Sequence, residues 1–131
     1  MHPYEKLARR EMDLILAGDD EGVAALYAPD FVLHYPGRNP LAGTYTDVGE
    51  FLSRLGQLFD GGTVERELHD ALGTDDHAVQ LLRVTGTAKG LTHSWNAVIV
   101  MHVADGQFTE AWFHFRDQYA LDAYLTALAD N

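Results

Sequence analysis

"HAVQLLRVTGTAKGLTHSWNAVIVMHVADG", residues 77–106, decides the fold. It holds two apolar runs rich in Val, Leu, Ile and Trp, joined at Lys89-Gly90 and closed by Ala104-Asp105-Gly106. Strand-like runs punctuated by such short turn signals read as consecutive antiparallel hairpins. The pattern extends both ways. "TVERELHDALG" (63–73) precedes it across "GTDD", and "QFTEAWFHFRDQYAL" (107–121) comes after it, so four long strands are expected after residue 62.

The N-terminal half has a different period. "YEKLARREMDLILAG" places Leu7, Glu11, Leu14 and Ile15 near a 3.6 repeat, which predicts a helix over 4–18 that Gly18 stops. "DDEGVAALYAP" predicts a short helix over 20–28, capped by Asp19 or Asp20 and ended by Pro29. "DFVLHY" reads as a short strand and "PGRNPLAGTY" as a loop. A third helix is predicted over 47–60, where Val48, Phe51, Leu52, Leu55 and Leu58 form one apolar stripe before Gly61-Gly62. The tail "ALDAYLTALADN" adds at most a half-turn of helix. Helices followed by a meander of strands make an α+β domain, with three N-terminal helices covering one sheet face.

At 131 residues the chain suits a single domain, 1–131, and its 47% hydrophobic content supplies a core. Twenty acidic against nine basic residues give a formal charge of -11, which argues against nucleic acid or an anionic membrane as partner. Without cysteine, disulfides, zinc–thiolate sites and thiol nucleophiles are excluded. "MHPYEKLARREMDL" carries charges where a signal peptide has its apolar segment, and no apolar stretch approaches the ~20 residues of a membrane helix. A cytoplasmic protein is expected.

Alternation assigns faces to the last two strands. Phe108, Glu110, Trp112, His114 and Arg116 share one face of the final strand; Thr109, Ala111, Phe113, Phe115 and Asp117 share the other. On the preceding strand His93, Trp95, Ala97, Ile99 and Met101 alternate with Ser94, Asn96, Val98, Val100 and His102. Both faces of that strand are apolar at the centre, so helices are expected on one side and a second subunit on the other. Trp112, His114 and Arg116 have an interface character. Asp117 reads either as a carboxylate at the inner end of the Phe113/Phe115 face, or as an exposed strand end or a cap for the next segment. His34 and Tyr35 end a strand before a rigid loop, a junction that suits site residues, although Pro36-Gly37 and Asn39-Pro40 also account for the bend. The seven histidines show no metal-ligand spacing, Ser53 and Ser94 lack a nucleophile-elbow context, and the glycines form no phosphate loop. No metal and no cofactor is expected.

"AGDDEGVAALYAPDFVLHYPGRNPLAGTYTD" (17–47), "ELHDALGTDDHAV" (67–79) and "VADGQFTEAWFHFRDQYALDAYL" (103–125) together resemble the SnoaL-like family, in the superfamily of nuclear transport factor and ketosteroid isomerase. The resemblance spans roughly Tyr4 to Leu125. It implies a cone-shaped, strongly curved antiparallel sheet wrapped around helices, a deep pocket inside the cone, and a homodimer through the outer sheet face. In the family's polyketide cyclases an Asp near the end of the last strand is the general acid/base, and Asp117 occupies that place. Where the superfamily's epoxide hydrolases carry an acid after a strand Trp, this chain has His114. Where ketosteroid isomerases carry their Asp, it has Tyr35, beside His34.

The resemblance thus implies a pocket for proton transfer next to a carbonyl. Asp117 would be the base and His34 or Tyr35 a donor to the enolate oxygen. Phe113, Phe115, Trp95, Met101, Phe51 and Leu55 are the expected ligand contacts, suited to a flat, apolar, oxygenated compound. The implied function is a cofactor-free cyclase or isomerase; the alternative is a protein that binds such a compound without turning it over.

Overall fold

The computed structural model describes all 131 residues. The chain runs α1 (Pro3–Leu16), α2 (Asp20–Ala24), β1 (Tyr27–Tyr35), β2 (Gly43–Tyr45), α3 (Val48–Phe59), β3 (Thr63–Gly73), β4 (His77–Ala88), β5 (Leu91–Ala104), β6 (Gln107–Phe115) and α4 (Gln118–Ala129). The six strands form one α+β sheet in the order β2-β1-β6-β5-β4-β3, open at both edges.

Local chemistry explains the boundaries. α1 starts with Pro3 in its first turn, and the His2 ring accepts from the Tyr4 N–H. Asp19 and Asp47 cap α2 and α3 by accepting from the N–H groups of Gly22 and Gly49. The hairpins β4–β5 and β5–β6 turn on Lys89-Gly90 and Asp105-Gly106. All four residues have positive φ (53°, 77°, 52° and 76°), the geometry a two-residue turn needs to match strand twist. Register shifts at Tyr27/Val32, Leu68/Asp70 and His102/Val103 bend the sheet. The helices and the inward side chains enclose one core, which includes Met12, Phe31, Leu41, Leu82, Met101, Phe108 and Leu121. No helix is long and apolar enough to cross a membrane.

Several expectations need correction. The sheet is not wholly antiparallel, because β1 pairs with β6 in parallel. The second helix stops at Ala24 rather than residue 28; Pro29, which lacks an N–H, sits in the unpaired stretch of β1 between Tyr27 and Val32. The loop after β1 contains the short strand β2. Phe108 faces inward with Ala111 and Phe113, because Thr109 is the extra residue of a bulge: Val103 pairs with Phe108 and His102 with Glu110. The C-terminal half-turn is a full twelve-residue helix, α4, whose Leu121, Leu125 and Leu128 are completely buried at helical spacing.

Candidate functional site

α1, α3 and the inward face of the sheet enclose a cavity whose space between lining atoms, mouth included, is about 970 Å³. The space inside it that a water molecule can reach is smaller, about 140 Å³. Twenty-three of its 26 lining residues are hydrophobic. The other three are Glu11, Arg66 and Gln80, and the hydroxyl-bearing rings of the half-buried Tyr27 and the buried Tyr35 join them. A neighbouring hollow between α2 and the start of α3 shares Tyr27, Phe31, Val48 and Leu52 with the cavity, and Leu52 is 56% exposed there. The two spaces share that wall.

Glu11 sits on the buried stripe of α1 with Ala8 and Met12 and is only 4% exposed. Its Oε2 accepts from the Tyr27 hydroxyl at 2.7 Å and its Oε1 from Gln80 Nε2 at 2.9 Å. Gln80 Nε2 also donates to the Ala8 carbonyl at 2.8 Å. Both partners of that amide nitrogen are acceptors, so the NH₂ orientation is dictated by chemistry. Gln80 Oε1 is buried and has no protein partner.

Burial pushes the Glu11 carboxyl above the usual carboxylate range. The hydrogen bonds from Tyr27 and Gln80, and the Arg66 charge, offset this only in part. Burial likewise raises Tyr27, reinforced by the neighbouring Glu11, and raises Tyr35. Burial lowers the Arg66 guanidinium against the opposing attraction of Tyr35, Tyr27 and Glu11. A carboxylate that resists ionisation, a cation and two phenols therefore face one apolar space.

The expected site residues divide between the two faces of the sheet. Tyr35, Phe51, Leu55, Trp95, Met101, Phe113 and Phe115 all line the cavity. His34, one residue from Tyr35, alternates to the outer face. It stacks on Trp112, with centroids 5.6 Å apart, and bonds Glu110 and Thr44. Asp117 is exposed and outside the cavity. β6 ends at Phe115, so alternation no longer governs Asp117; its carboxylate accepts from the Ala120 N–H at 3.1 Å and caps α4. Asp117 and His34 thus do not share a space with Tyr35.

Glu11, Tyr27, Arg66 and Gln80 were not singled out from the sequence as site residues. Each carries one signal: a polar group at a position whose neighbours in register are apolar. Glu11 lies within the Leu7–Ile15 stripe, Arg66 between Val64 and Leu68, and Gln80 between Ala78 and Leu82.

Residues 8–111, most of the chain, match the sequence profile of the SnoaL-like domain. The chain belongs to the SnoaL-like domain family. Its relatives include an uncharacterised protein of Mycobacterium tuberculosis, 26% identical over 121 residues that cover 90% of this chain and 92% of the relative. Among solved structures it is similar to Bal32a, from a soil-derived mobile gene cassette, at 25% identity and a TM-score of 0.85, with 94% of this chain and 96% of that one covered. TerC, co-crystallised with polyporic acid, has the same fold at 20% identity and a TM-score of 0.81, covering 95% and 98% of the two chains.

Proposed function

We propose that this SnoaL-like protein binds a small apolar carbonyl compound in the cavity and moves a proton next to the carbonyl, as a cofactor-free isomerase or cyclase with Glu11 as the base. The observation that carries the reading is the buried Glu11 carboxylate, held by Tyr27 and Gln80 and facing Arg66 across an otherwise apolar cavity. The chemistry balances on these groups. The Glu11 carboxylate takes the proton from the carbon beside the carbonyl, and the C–H electron pair moves into an enolate. The developing negative oxygen is stabilised by the Arg66 guanidinium, with the Tyr35 hydroxyl as a second donor. Return of the proton at another carbon is isomerisation; attack of the enolate carbon on a second carbonyl, whose π electrons move to its oxygen and take the proton back from Glu11, is cyclisation. The co-crystallisation of a fold relative with polyporic acid supports occupancy of this fold by a small molecule.

The test uses indanone and tetralone as probes in heavy water, with exchange at the carbon beside the carbonyl followed by proton NMR. Saturable acceleration of exchange by the protein is the expected result. Saturable binding with no acceleration favours the second reading, a non-catalytic carrier, which rests on the same apolar lining.

We also propose that two copies pair through the outer sheet face. Val98, Val100 and Trp112 are half-buried there, and Leu72, on the edge strand β3 beyond β4, is 51% exposed. Sedimentation at micromolar concentration is expected to give a dimer; a monomer contradicts the pairing.

A further inference from the structure

Arg66 is the one arginine on the cavity wall. Its guanidinium makes no hydrogen bond and no ion pair, whereas Arg9 is held by Glu5 and Asp70, and Arg54 by Glu50. A half-buried guanidinium with five unused donors is a strong and geometrically specific seat for an anionic oxygen. Glu11 does not serve that purpose: its oxygens are engaged by Tyr27 and Gln80, and it forms no ion pair with Arg66. A second group points to the ligand's other end. Gln80 lines the same cavity, its side chain is fully buried, and Oε1 has no protein partner. An amide oxygen in that position calls for a donor, since buried acceptors are normally paired.

The two positions are far apart along the sheet. Arg66 pairs with Val84, four residues beyond Gln80 on β4, so their backbones are about 13 Å apart along the strand. The arginine side chain reaches back over part of that span, since its charge acts on Glu11 and Tyr27. The groups they recognise therefore belong to opposite ends of one ligand, with the apolar cavity wall between them.

We infer that the ligand is an apolar monoanion, with an ionised acid oxygen seated on Arg66 and a hydroxyl or N–H at its far end donating to Gln80 Oε1. This names the substrate class of the site proposed above and rests on that reading of the cavity. The acid oxygen is a carboxylate, or an enol or phenol acidic enough to ionise. Such a ligand supplies the charge that balances Arg66, whose remaining N–H donors are left for the enolate oxygen, and its body fills the space between Tyr35, Phe113 and Ile99.

The test is calorimetric titration of the protein with four probes: naphthoate, its methyl ester, a hydroxynaphthoate with the hydroxyl on the far ring, and the matching methoxynaphthoate. Naphthoate is expected to bind about tenfold to a hundredfold more tightly than its ester, the range of one charged hydrogen-bonded contact. The hydroxynaphthoate is expected to exceed the methoxy compound. In Arg66→Met the preference for acid over ester is expected to vanish while the ester still binds, which separates loss of the charge contact from loss of the fold. Equal binding of acid and ester by the native protein, or a preference that survives in Arg66→Met, overturns the inference. Those outcomes leave the cavity reading standing, since the ester still binds. Binding of none of the four overturns both. A methoxy compound that binds as well as the hydroxy compound removes the assignment to Gln80.

Discussion

Replacing Glu11 with glutamine is expected to slow proton exchange on the carbonyl probes by about 10²–10⁴-fold, the usual contribution of one general acid–base group. The fold should survive, because the new amide satisfies the same neighbours. Its oxygen accepts from Gln80 Nε2, and its NH₂ donates to the Tyr27 hydroxyl, which turns to accept. What disappears is the only cavity carboxylate, and with it the base. Probe affinity should change little, because the apolar lining and Arg66 remain. A change confined to the rate assigns Glu11 to chemistry rather than to binding.

The same variant should alter the pH dependence. The Glu11 carboxyl titrates above its ordinary value of 4.5 in the folded chain because it is buried. Its contribution to stability is therefore fully present below that ordinary value and is lost as pH rises through the folded value. Exchange activity runs the other way, rising with pH as the carboxylate forms. Glu11→Gln should flatten both profiles in that window, as chemical denaturation and exchange rates measured across pH will show. A native stability that rises with pH over the same interval, relative to the variant, contradicts the burial account.

The second large effect is expected at Gly73, the last residue of β3. A Cβ built there collides with the Glu5 backbone nitrogen and stands 2.9 Å from the Tyr4 carbonyl carbon, so α1 lies directly against the strand. Those neighbours are helix backbone rather than flexible side-chain ends, and α1 has to move if the methyl group is to fit. Gly73→Ala should cost about 1–3 kcal/mol in denaturant unfolding, the range of overpacked cores. Because α1 also carries Glu11, the displacement should lower the exchange rate of the folded fraction. A variant as stable and as active as the native chain would show that α1 is not fixed by this contact.

Much of the architecture could be read from local pattern. Lys89-Gly90 and Asp105-Gly106 each supply the two positive φ values of their hairpin, and the apolar stripe of α3 is continuous in sequence. Failures arose where an irregularity interrupts a period. The bulge at Thr109 reverses the parity that placed Phe108 outside. The aromatic run of β6 passes without a glycine or proline into α4, so from sequence Asp117 reads either as one more strand residue or as a cap for the next segment. The spacing of Leu121, Tyr124, Leu125 and Leu128 after it shows a helix that Asp117 caps. The site was less legible for a different reason. Glu11 finds Tyr27 sixteen residues away and Gln80 sixty-nine residues away. Within α1 alone it resembles the polar margin of an amphipathic helix, and only the packing of α1 on β3 and β4, with the Tyr27 hydroxyl reaching over from β1, makes it a buried carboxylate. The aromatic lining was visible earlier because each of those residues is apolar on its own evidence.

The most direct test places Glu11→Gln beside Asp117→Asn in the same exchange assay. Asparagine caps a helix about as well as aspartate, so the second variant keeps α4 while removing the carboxylate. Exchange that falls by about 10²–10⁴-fold in Glu11→Gln and is unchanged in Asp117→Asn is the result expected of a cavity centred on Glu11. The reverse pattern, with full activity in Glu11→Gln and loss in Asp117→Asn, contradicts it and returns the chemistry to the end of the last strand.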